Sequence, residues 1–266
     1  MSNVWSVSRV ELPLAQQGLP SRLVLLGVSA LAGCFFVGLL TILLARNGRA
    51  ATMLLDYADL SPFPYPLTVQ NFMHVVFFVG LGELFVRSRT ARWELGFLNR
   101  SFLPEDDQTV LQAHDLGPIR RQVAKLFDGD NGFLPSLIDI SILQFQAGRS
   151  VDQTVSVLNS SLDLIGHRLD LRYQMIRYLA WLIPTLGFIG TVVGIAGAMT
   201  YVKAQGVDLD KIGGNLAVAF NTTIVALIQA AILVLGIHEV QKREEQSLNL
   251  AGNYCLRNLV NRLYAG

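Results

Sequence analysis

Three threonines near the C-terminal end are set in otherwise apolar surroundings. Thr191 lies in the run Ala180 to Tyr201, Thr222 and Thr223 lie in the run Ile212 to Ile237, and neither run holds an Asp, Glu, Lys, Arg or His. A hydroxyl offers one proton and two lone pairs and does not ionise near neutrality. Such groups can solvate a passing cation or bond a neutral acid, but cannot store a proton as charge. Small residues recur around them at helical spacing: Pro184, Gly187, Thr191, Gly194 and Ala198 share one face, with Gly190 in the same run, and Ala219, Thr222, Thr223, Ala226 and Ala230 form a second stripe. Close helix packing requires the same pattern, and spacing alone leaves both readings open. His74 and Glu83 are the only acid and base in the two remaining apolar runs. A lone charge at mid-bilayer costs about 2.5 to 3.5 kcal/mol on insertion scales, so each needs a partner or an interface. Arg87, four residues beyond Glu83, offers one.

The elements that must position these groups are membrane spans. The chain is 52% hydrophobic and 15% charged, with a mean hydropathy of +0.42 and a net charge of +1, which excludes an ordinary soluble core and gives no sign of nucleic-acid binding. Runs over 23–45, 67–86, 180–201 and 212–237 each reach the roughly 20 residues that a helix needs to cross hydrocarbon. Lys and Arg number 17 in the arm, the long 87–178 segment and the tail, against 4 in the two other connections. The positive-inside rule therefore places both termini and the long segment in the cytoplasm. Residues 1–22 form an N-terminal arm, and the two cysteines, Cys34 and Cys255, allow neither a disulfide framework nor a zinc cluster.

Within 87–178, Pro104-Glu105-Asp106-Asp107 is expected to open a helix, Asp128 to Gly132 to turn without the spacing of a calcium loop, and Pro135 to Ala147 to form a helix that stops near Gly148. From Val151 the apolar positions Val155, Leu158, Leu162, Ile165, Leu169 and Ile176 form a packing seam, interrupted at Arg172. No strong breaker precedes Pro184, so seam and third span are expected to be one rod of about 50 residues. Val202 to Lys211 reads as a solvated turn, and 239–266 as a helix with Leu248, Leu256, Leu259 and Leu263 on one side. No phosphate loop, dinucleotide fingerprint, zinc-protease motif or nucleophile elbow occurs, so the chain is not expected to be an enzyme.

Pro-Thr-Leu-Gly-Phe-Ile-Gly-Thr-Val-Val-Gly-Ile at 184–195, followed by Leu-Ala-Val-Ala-Phe-Asn-Thr-Thr at 216–223, resembles the paired signature of the MotA/TolQ/ExbB proton-channel family over roughly the last 90 residues. The resemblance implies that Thr191 and Thr223, with Thr222 beside them, line an ion path, and that Pro184, Gly187, Gly190, Gly194, Ala198, Ala219 and Ala226 face packing partners. TolQ and ExbB relatives usually carry a Glu five residues before the second threonine, where this chain has Val218. The resemblance further implies a homo-pentamer around a dimer of a single-span MotB/TolR/ExbD-like protein, whose membrane Asp supplies the carboxylate that the hairpin lacks.

The expectation is therefore an all-α polytopic protein of the bacterial inner membrane, surrounded by lipid. It has an arm (1–22), a first transmembrane hairpin (23–86), a cytoplasmic helical region (87–178), an ion-channel hairpin (179–238) and a cytoplasmic C-terminal helix (239–266). Its expected function is that of the channel subunit of a rotary motor driven by protons, or by sodium ions, with no cofactor. The alternatives are a non-conducting scaffold and a self-contained transporter using His74 and Glu83.

Overall fold

The computed structural model describes residues 22–57, 59, 63–106, 108–128, 131–203 and 206–264; the N-terminal arm lies outside them except for Arg22. The described chain is helical: α1 (Arg22–Leu43), α2 (Arg49–Leu55), α3 (Val69–Leu98), α4 (Leu116–Val123), α5 (Phe133–Gly148), α6 (Val151–Met199) and α7 (Leu209–Asn258), then a 3-10 turn over Val260–Arg262. Four helices, α1, α3, α6 and α7, are long and apolar enough to cross a membrane. The connection expected as a plain turn contains a two-residue ladder, β1 (Val202–Lys203) antiparallel to β2 (Gly206–Val207).

The chain divides into two compact units, one of residues 22–86 and 173–240, the other containing 87–172 and 241–266. In the first, α1 runs antiparallel to α3, and a Cβ added at Gly33 would stand 2.9 Å from the Val75 Cα. Val28, Leu31, Phe35 and Ile42 of α1 are exposed, as suits a surface that meets lipid. The short α2 is tied down by Thr68, whose hydroxyl donates to the Leu55 carbonyl at 2.9 Å.

In the second unit α5 supplies a large share of the core, with Phe133, Leu134, Leu137, Ile138, Ile142 and Phe145 all buried. Gly132 precedes α5 at φ 85°, a left-handed conformation that glycine adopts without strain. Arg120 of α4 pairs with Asp139 of α5 at 3.0 Å. Residues 104–106 open no helix, contrary to expectation. Asp106 instead closes a turn, accepting from the Gln108 amide at 3.2 Å and the Thr109 hydroxyl at 3.4 Å, because no apolar stripe follows to hold a helix down. The end of the chain straps this segment. The Leu111 amide donates to the Arg262 carbonyl at 2.8 Å, the Tyr264 amide to the Leu111 carbonyl at 3.1 Å, and the Arg262 guanidinium to the carbonyls of Pro104 (2.8 Å) and Asp106.

As expected from the absence of breakers, α6 is one helix of 49 residues, about 74 Å at 1.5 Å per residue. Its seam is not interrupted at Arg172, since the four-residue step from Leu169 lands on Tyr173, which is fully buried. The tail extends the fourth span as a helix, span and tail being the single helix α7. Leu248, Ala251, Cys255 and Leu259 make its buried line beyond the span, and Leu256 is exposed because it falls off that spacing. Burial pushes the Cys255 thiol up, away from its reactive thiolate form.

Candidate functional site

The small residues of α6 and α7 face each other. A Cβ placed on Gly187 would stand 2.4 Å from the Ala226 Cβ, one on Gly190 2.4 Å from the Thr222 Cγ2, and one on Gly194 2.7 Å from the Ala219 Cβ and 3.1 Å from the Ala219 Cα. None of these distances admits a side chain, so at each level a glycine of one helix receives a small side chain of the other. Ala198, Ala219 and Ala226 are fully buried, while Pro184 is half-buried.

At the level of Gly187 and Gly190 the crossing becomes polar. The Thr191 and Thr223 hydroxyls bond each other, and both also lie within reach of the Gly187 carbonyl, Thr191 at 3.1 Å and Thr223 at 3.2 Å. The Ala219 carbonyl stands 3.2 Å from the Thr191 oxygen. Two hydroxyls have two protons to place among these acceptors. Once placed, the oxygens still carry lone pairs for an incoming donor, a protonated carboxyl or a hydrated proton. Both residues are half-buried, so that side of the pair is not sealed.

Thr222 does not join them. It is 1% exposed and its hydroxyl donates to the Val218 carbonyl at 2.8 Å, within its own helix. Val218 itself is 3% exposed.

His74 and Glu83, read from sequence as an interfacial or transporter pair, are both buried, at 4% and 7% exposure. They lie nine residues apart on α3, and no direct bond joins them among those described. His74 bonds Gln229 of α7 instead, at 2.6 Å. Gln229 stands in an apolar run with no motif around it; the i, i+4 pair of Gln70 and His74 is the available signal in the sequence that a polar partner is required. Asn215 was also missed. It is 3% exposed, donates to the Lys211 carbonyl at 2.9 Å, and its Oδ1 lies where a Cβ on Gly197 would come within 2.9 Å.

Beyond the apolar run that ends at Val86, Glu94 is 3% exposed. Its two carboxyl oxygens accept from the first amides of α5, Gly132 at 2.6 Å and Phe133 at 2.9 Å. Loss of water pushes the carboxyl up to about 7, against the two amides, which favour the anion. No sequence motif marks it, because it caps a helix that begins 39 residues later.

These features define a polytopic α-helical membrane protein with a hydroxyl pair at a glycine-lined helix crossing. Residues 131–251, somewhat under half of the chain, match the family model described as the MotA/TolQ/ExbB proton channel family, and this part of the chain is similar to that family. The match begins at α5, well before the motifs in the spans. Searches of curated proteins and of solved structures found no match.

Proposed function

We propose that this chain is the channel-forming subunit of a motor driven by an ion gradient, with the proton as the coupling ion. The observation that carries the reading is the Thr191–Thr223 pair, half-buried at a crossing whose two apolar runs contain no acid or base. Hydroxyl lone pairs can receive a proton donor, but passage across hydrocarbon needs a group that exchanges protons. A membrane Asp on a single-span partner of the MotB/TolR/ExbD type supplies it, and five copies of this chain surround two of that partner. The distribution of Lys and Arg supports an orientation with both termini cytoplasmic, and the membrane of this reading is the bacterial inner membrane. In this reading the chain performs no bond-making chemistry of its own.

A second reading has support in the same geometry. Thr191 reaches the carbonyl four residues back on its own helix, a bond that Thr makes in any membrane helix, and Thr223 bonds only within the hairpin. A non-conducting scaffold would use the pair in just this way. Thr191→Val and Thr223→Val, singly and together, separate the two readings when ion-driven activity is measured at matched expression and matched assembly. Loss of a contact worth about 0.5 to 2 kcal/mol slows a proton-transfer step several-fold to tens of fold in the channel. Wild-type activity in the double variant leaves the scaffold.

A further inference from the structure

Away from the threonines, one buried imidazole, His74, has a polar partner on each ring nitrogen. The His74 Nε2 lies 2.8 Å from the Leu54 carbonyl, which only accepts, so Nε2 carries the proton. Its Nδ1 lies 2.6 Å from the Gln229 Nε2, which only donates, so Nδ1 presents a lone pair. The ring is thereby fixed as a neutral imidazole, and Phe36 of α1 meets it edge-on with centroids 5.5 Å apart.

Hydrogen-bonding capacity is left over on Gln229 itself and within one turn of His74 on α3. The Gln229 Oε1, the Asn71 Oδ1 and both amide atoms of Gln70 are buried without a hydrogen-bond partner. Gln70 is fully buried, Asn71 is 5% exposed and Gln229 6%. Gln70 stands one helical turn before His74, on the same face of α3. Each orphaned group costs about 1–3 kcal/mol unless something bonds it, and in protein interiors that something is usually internal water.

We propose that His74 is a reversible proton-binding site fed by internal water held on Gln70, Asn71 and Gln229, with Gln229 as a two-position partner that serves both protonation states. A hydrated proton adds to the Nδ1 lone pair and leaves water behind. Two donors then face each other, and the Gln229 amide turns over. Its Oε1, unbonded before, accepts from the new Nδ1–H, and its Nε2 turns to the water. The Nε2–H bond to Leu54 is kept throughout.

The surroundings leave this exchange to Gln229. Between Leu23 and Leu43, α1 carries no titratable side chain except Cys34, and α7 carries none between Ile212 and Ile237. On α2 the one acid nearby is Asp56, at the helix end two residues past Leu54, and on α3 it is Glu83, nine residues further along. The site is distinct from the Thr191–Thr223 pair and stands whether or not that pair conducts.

The test uses the full-length protein in lipid nanodiscs with isotope-labelled histidine and glutamine, and follows the His74 ring nitrogens by NMR from about pH 4 to about pH 8.5. The expected result is conversion of the Nε2–H tautomer to the cation within that range, with the Gln229 side-chain amide moving at the same midpoint. Gln229→Met, which removes the acceptor, lowers the midpoint by about one pH unit or more, and Gln229→Glu raises it by at least as much. Magnetisation transfer from water should reach the Gln70 and Gln229 amides. A ring that stays in the Nε2–H form throughout, or amides that receive nothing from water, overturns the proposal. If Gln229→Met does not assemble, the near-isosteric Gln229→Glu decides: an unchanged midpoint overturns it too.

Discussion

Glu94 caps a helix to which it does not belong, and the chemistry of that arrangement sets a pH dependence. An acid whose folded pKa lies at about 7, against an ordinary 4.5, binds more protons folded than unfolded between those values. Stability therefore falls as pH rises from about 4.5 to about 7 and is flat beyond, the total change being at most about 3 kcal/mol. Unfolding of the full chain followed at several pH values should show this loss, and Glu94→Gln should show a flatter curve. That variant should also be less stable at low pH, since an amide nitrogen then faces one of two backbone N–H donors. A slope unchanged in Glu94→Gln would assign the pH dependence to another group.

At the scale of the element, α6 and α7 meet through glycine on one side and Ala or Thr on the other. Gly187→Ala should lower hairpin stability by about 1–3 kcal/mol by overpacking against Ala226, and Ala226→Gly should restore most of the loss when combined with it. Thermal unfolding of the four members of the cycle in detergent measures the coupling; additive effects would mean that the two positions do not touch. The existence and spacing of these small-residue faces were legible in the sequence, as were the four spans and the unbroken α6. The facing register was not legible, because a stripe marks what a helix can receive without naming its partner. Apolar periodicity identified Leu158 and Leu169 but passed over Tyr173, since an amphipathic residue at a buried step carries a weaker signal than a leucine. The expected helix at Pro104 failed for the opposite reason, acids placed as in a first turn with no apolar stripe at helical spacing behind them.

For the whole molecule, the exposed apolar residues of α6 and α7 bear on assembly. Phe188, Ile189 and Val192 on α6 and Phe220, Ile224, Leu227 and Ile228 on α7 are all exposed in the single chain. In the proposed complex these faces are divided among lipid, neighbouring copies and the partner helices. Native mass spectrometry of the chain co-purified with its partner should give five copies to two; a stable dimer or tetramer that binds no partner would remove the motor reading. The strap at the end of the chain carries a consequence for the order in which the protein is made. Arg262 holds Pro104 and Asp106 across 158 and 156 positions of sequence. All four apolar runs, the last ending at Ile237, are synthesised before that arginine. Membrane insertion can therefore run ahead, while the 104–111 segment waits for Arg262 to be translated before its native pairing can close.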